Sequence, residues 1–253
     1  MAVTIPTARR RSELYRYHVK NLRELERALE QTARLAKAEI ARRDPQRSLQ
    51  SLVRLYAFLL GAWAECRLSK LLYEQAGLSD DERGVVLAFN THLDRWKAVV
   101  DIAFRKHYQI PSAPLNSRVL GVSHAARREA LHQVLCDDLR VVIEIRNKLA
   151  HGQWVYPLNN EGTAVENDKF SLINKENIMS LQFKYSLLGH LANAAHDLVV
   201  SLPTFQRDFD GRFRLLEQVR TNMSVKQYAK YEQSLVSSRQ KARAARGEGH
   251  SKP

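Results

Sequence analysis

The chain has 253 residues, 44% hydrophobic and 26% charged, which is enough apolar content for a sizeable core and too much for a disordered protein. Ten glycines and seven prolines are few for an all-β protein, and the abundance of Leu, Ala, Arg and Glu favours helix. The formal charge of +13 is unevenly placed, with +4 in residues 239–253, +3 in residues 8–11 and +6 on the remaining body; the excess points to polyanions, nucleic acid ahead of membrane.

Cys66 and Cys136 both lie in apolar helical patterns, which argues against a disulfide framework. The first residues, "MAVTIPTARRR", lack the apolar stretch of a secretion signal. The longest uncharged apolar run, "LYAFLLGAWA", has ten residues, about half of what spans a bilayer. Together these features predict a soluble, cytoplasmic protein with reduced thiols and no membrane partner.

In chain order, Leu14, His18, Leu22, Leu25, Leu29, Ala36 and Ile40 recur at helical spacing over 12–43, and "DPQ" at 44–46 stops the pattern. Only one stripe of that helix is apolar, so 1–47 is expected to be an extension or dimer arm rather than a core element. Residues 48–77 are apolar on most sides and end at Gly77, as expected of a central helix. Ser79 and Glu82 form a capping-box pattern that opens a helix to about Tyr108. A proline-containing loop follows.

Ser123 is placed to cap the next helix, 124–151, whose Leu131, Leu135, Leu139, Val142, Ile145 and Leu149 form one stripe. Residues 153–173 are rich in β-branched and aromatic side chains around Asn160, Glu161 and Gly162, which predicts a short β-hairpin or ordered loop. Asn174 is expected to cap a further helix, which Pro203 ends. Two more helical stretches follow, about 204–221 and 225–245, the last dissolving into the basic tail. The expected class is all-α: an up-and-down four-helix bundle over 48–201, with a hairpin insertion, accessory C-terminal helices over 202–236 and a basic disordered tail over 237–253.

The stretch "RNKLAHGQW" (146–154) holds the candidate chemistry. It has a plain reading: Gly152 completes a helix C-cap, His151 favours the negative end of the helix dipole, and Arg146 pairs with Glu144 or Asp138. Arg146 and His151 lie roughly 140° apart on an ideal helix, whereas Asn147 and His151 share a face. Arg146 and His151 therefore do not meet within one straight helix, and two copies facing each other across a two-fold axis would pool them.

Arg146, Asn147 and His151 at a helix end inside a four-helix unit resemble the signature of the HEPN superfamily, many of whose members are RNA-cutting toxins or antiviral effectors. The resemblance covers about 48–201. It implies a metal-independent endoribonuclease acting as a homodimer with a composite site, on RNA, with an antitoxin or sensor as a further partner and no cofactor. Arginine stays charged and can grip two oxygens of a phosphorane. Histidine can give or take a proton near neutrality. Asn147 can orient His151 or the phosphate. Glu65 stands where the family often has an acidic residue, and either orients Arg146 or is an ordinary helix-surface carboxylate.

Lys148, Trp154 and Tyr156 are candidates for contact with RNA, and the two aromatics serve equally well as the apolar side of the hairpin. His132 and Cys136 share a helix face, but no second ligand pair lies near, so no metal site is expected. His190 and His196 do not share a face. The alternative to an enzyme is a non-catalytic helical protein that binds RNA or a partner.

Overall fold

The computed structural model describes residues 8–42 and 46–248. Asp44 and Pro45 of the "DPQ" breaker and the chain's last five residues lie outside these. Among the described residues the protein is all-helical, and no helix is long and apolar enough to cross a membrane.

Helix α1 (Ala8–Arg42) runs along α2 (Gln46–Leu72). Its stripe of Leu22, Leu29, Ala33, Ala36 and Ile40 is buried in the same core as α2. That corrects the expectation of an extension or dimer arm outside the core: a narrow apolar stripe is all that a helix needs when it covers one side of a core. Helix α2 buries residues on several sides, Val53, Tyr56, Leu60, Trp63, Ala64 and Leu68 among them, because α1, α7 and α9 all pack on it. It is the central helix its composition suggests.

The Ser79 capping box forms, with the Glu82 amide donating to Ser79 Oγ at 3.2 Å and the Ser79 amide donating to Glu82 Oε2 at 2.6 Å. The helix it opens is short: α3 (Asp80–Leu87) stops, and α4 (His92–His107) begins anew after an exposed turn. The cause is a second local cap, in which Thr91 Oγ1 accepts from the Asp94 amide at 3.0 Å. Arg95 closes the turn by donating to the carbonyls of Phe89 (2.8 Å) and Leu87 (3.3 Å).

After the one-turn α5 (Ser117–Leu120), helix α6 (Val122–Val134) starts without the expected Ser123 cap; Gly121, at φ +79°, is its N-cap. It continues into α7 (Arg140–Ala150) through a π-helical turn at Leu135–Leu139. Leu131, Leu135 and Leu139 each step four residues, which drifts about 40° per step on a 3.6-residue helix. The wider turn, with its i→i+5 bonding, takes up that drift, and the whole stripe from Leu131 to Leu149 stays buried.

The predicted hairpin does not form strands. The loop closes on one antiparallel bridge, Leu158 to Val165, with Gly162 at φ +70°. Asn159 Oδ1 accepts from the amides of Thr163 (2.8 Å) and Ala164 (3.3 Å), which diverts donors that a ladder would use. The second half of the segment is helical, α8 (Asn167–Lys175). Asn177, not Asn174, caps α9 (Ile178–Val200), in a reciprocal box with Ser180.

Pro203 begins α10 (Leu202–Val225) rather than merely ending α9, since its missing N–H is harmless in a first turn. Helix α11 (Tyr228–Glu248) runs through most of the stretch expected to be a disordered tail. Its Arg239 donates to the Ala38 carbonyl of α1 at 3.4 Å. One continuous core extends from Leu22 to Leu216.

Candidate functional site around Arg146

The end of α7 is built as a Schellman cap. The Gly152 amide donates to Leu149 O at 3.1 Å and the Gln153 amide to Lys148 O at 3.0 Å. Gly152 takes φ +76°, the left-handed conformation the motif requires. His151 occupies the C-cap. Its side chain is exposed and makes no hydrogen bond or ion pair with a described residue.

Arg146, one turn back, points the other way, into the seam between α7 and α2. Gly61 makes room for it: a Cβ at Gly61 would lie 2.3 Å from Arg146 Cβ and 2.6 Å from Cγ. One turn further along α2 is Glu65, whose Oε2 accepts from Arg146 Nη2 at 2.5 Å. Arg146 Nη1 donates to Asn147 Oδ1 at 3.1 Å. The pair is largely enclosed, with side-chain exposures of 13% for Glu65 and 26% for Arg146. Glu65 is thus the partner of Arg146, not a surface carboxylate. Glu144 and Asp138, the local partners the plain reading offered, are paired with Lys169 and Arg220 instead.

Two residues that sequence reasoning missed complete the cluster. His92, in the first turn of α4, places Nε2 3.5 Å from Glu65 Oε1. Arg95 lies one turn on. Burial pushes the Glu65 carboxyl above its ordinary pKa, against the opposing pull of Arg146 and Arg95. Burial, then the charges of Arg95 and Arg146, pull the His92 imidazole below its ordinary value, which favours the neutral ring. The only local sign of His92 was the Thr91-x-x-Asp94 cap that sets it at a helix start; nothing in the spacing relates residue 92 to residue 65.

The structure brings Glu65, Arg146 and Asn147 together and leaves His151 apart from Arg146, as the angular argument requires; the shared face of Asn147 and His151 brings no side-chain contact between them. Asn147 and His151 share a backbone hydrogen bond of 3.2 Å, but the Asn147 side-chain oxygen is taken by Arg146. Lys148 Nζ donates to Leu158 O (2.5 Å) and Glu166 Oε1 (2.9 Å), and so ties down the loop after the motif. Trp154 packs on the core and donates Nε1–H to Leu149 O at 3.0 Å. Tyr156 is exposed and stacks on Phe170 with ring centres 5.8 Å apart. Of the three, Tyr156 is the one that faces solvent.

His132 Nε2 donates to Asp101 Oδ1 at 2.8 Å, beside Arg128. His196 lies 3.6 Å from both Glu74 and Asp197. Among the described residues no group of three or more His, Cys, Asp or Glu side chains is arranged to hold a metal ion.

No protein-family model, curated protein or solved structure matches the chain. The reading of the site therefore rests on its own residues.

Proposed function

We propose that the protein is a metal-independent endoribonuclease of the HEPN type, acting as a homodimer, with Arg146, Asn147 and His151 at the working end of α7. The observation that carries this reading is the Glu65–Arg146 pair. A half-buried arginine is seated against the bundle by a glycine-made gap and held by a carboxylate 81 positions away. The packing of α2, α4, α6–α7 and α9 on one another supports the four-helix bundle.

In this reaction the ribose 2′-oxygen attacks the adjacent phosphorus, and the 5′-oxygen leaves. The base removes the 2′-OH proton, an acid delivers a proton to the 5′-oxygen, and the products carry 2′,3′-cyclic phosphate and 5′-hydroxyl ends. His151, solvent-facing and unpartnered, is free to serve as base or acid. Arg146 stabilises the charge that builds on the phosphorane oxygens. Because the two side chains diverge within one chain, the site is completed by a second copy. Val155 and Tyr156, exposed within five residues of His151, supply apolar surface for that contact. Such an activity suits a toxin or antiviral effector in the cytoplasm, restrained by an antitoxin or sensor.

The test is the chemistry of the ends: RNA incubated with purified protein in EDTA should yield 2′,3′-cyclic phosphate termini. Products with 3′-hydroxyl and 5′-phosphate ends would refute the mechanism. The non-catalytic alternative, an RNA- or partner-binding bundle, draws its support from Glu65 already neutralising Arg146; it predicts retention of RNA with no new ends.

A further inference from the structure

Glu65 holds Arg146 with one carboxylate oxygen. The other, Oε1, is buried without a hydrogen-bond partner and faces His92 Nε2 at 3.5 Å, just beyond bonding distance. His92 Nδ1 is also buried and unpartnered. A half-buried histidine that spends neither ring nitrogen on the fold is unusual, because buried polar groups are normally satisfied. The ring is nonetheless firmly placed. Thr91 caps α4 immediately before it, and Arg95 pins the preceding turn through Phe89 O and Leu87 O. The charged groups around it are Glu65 from α2, Arg146 from α7 and Arg95 from α4 itself.

We infer that His92 is a positioning residue of the Arg146 site, donating its Nε2–H to Glu65 Oε1 so that the carboxylate is gripped from both sides and Arg146 is aimed at the phosphate. The assignment rests on the nuclease reading of the same site. It also supplies a reason for the neutral ring. A neutral imidazole gives Glu65 a donor without adding a cation; a protonated one stands as a third positive group beside Arg95 and Arg146 and competes with Arg146 for Glu65. His92 approaches the free oxygen of Glu65 from α4, while Arg146 holds the other oxygen from α7.

Two measurements on the full-length protein decide it. In steady-state cleavage of RNA, His92→Ala should lower kcat by about 10- to 100-fold with KM little changed. His92→Gln, whose side-chain amide can donate in place of Nε2, should recover most of that loss and make the acid limb of the pH–rate profile shallower. The second measurement needs no turnover: an NMR titration of His92 in wild type, Arg146→Ala and Glu65→Gln. Its pKa should rise when the arginine is removed and fall when the carboxylate is neutralised. A His92→Ala protein with wild-type kcat, or a His92 pKa that moves in neither variant, overturns the assignment. Absence of any cleavage by the wild type defeats the nuclease reading instead, and the titration still decides whether His92 is coupled to the Glu65–Arg146 pair.

Discussion

Gly61→Ala is the most informative single substitution, because it acts on the site by one methyl group. Its Cβ would sit 2.3 Å from Arg146 Cβ, 2.6 Å from Cγ and 3.4 Å from the Val142 carbonyl oxygen. Carbon atoms rest at about 3.5–4.0 Å, so α2 and α7 must part locally by about 1 Å. Overpacking of this kind costs about 1–3 kcal/mol. Alanine returns up to about 1 kcal/mol through its better helix propensity. The net destabilisation should therefore be about 0–2 kcal/mol, readable as a shift in the urea midpoint followed by far-UV circular dichroism. The effect on the site should be larger, since displacing a catalytic group by about 1 Å can cost about 100-fold in rate. A Gly61→Ala protein that is more stable by the propensity gain alone and cleaves RNA at the wild-type rate would show that the helices do not meet at this point.

Two other results follow from the same geometry. A double-mutant cycle between Glu65→Ala and Arg146→Ala should give a coupling of about 1–2 kcal/mol, above exposed pairs and below fully buried ones, given their 13% and 26% exposure; a coupling near zero would mean the pair is not formed in solution. At Asp101, burial alone would raise the carboxyl, but hydrogen bonds from His132 and Arg128 and their charges outweigh it and hold the pKa below 3.8. A depressed carboxylate contributes stability that is present above about pH 4 and lost as pH falls through its folded value. Asp101→Asn should thus cost about 1 kcal/mol at neutral pH, discounted for its partial exposure, and flatten the acid limb of the stability curve below pH 4; an unchanged limb would count against the cluster.

Much of the architecture is legible locally. The Ser79 box, the breadth of apolar residues around Leu60 and the stripe from Leu131 to Leu149 each encode their element within a few turns of chain. Errors arose where a short-range signal was outranked by a nearby one. The Thr91 cap splits the helix expected over 80–107, and Asn159 consumes amides a hairpin needed. The basic tail expected over 237–253 overlaps the helical stretch expected over 225–245, and the helix prevails to Glu248: "RQKARAARGE" is rich in strong helix formers, and Arg239 reaches α1.

The site divides the same way. The divergence of Arg146 from His151 follows from 100° per residue. The hold of Glu65 on Arg146 and the approach of His92 to Glu65 are long-range contacts with no periodic trace. Gly61 is a further mark of the first contact in the sequence: a glycine inside a strong helix often has a packing reason.

The central claim is that Arg146 and His151 together cut RNA. It is tested most directly by comparing wild type, Arg146→Ala and His151→Ala for RNA cleavage in EDTA, with each variant's fold checked by its thermal melt. The account predicts that the wild type cleaves and that each variant is slower by about 100- to 10,000-fold. Cleavage by His151→Ala at the wild-type rate, or none by the wild type, would contradict it.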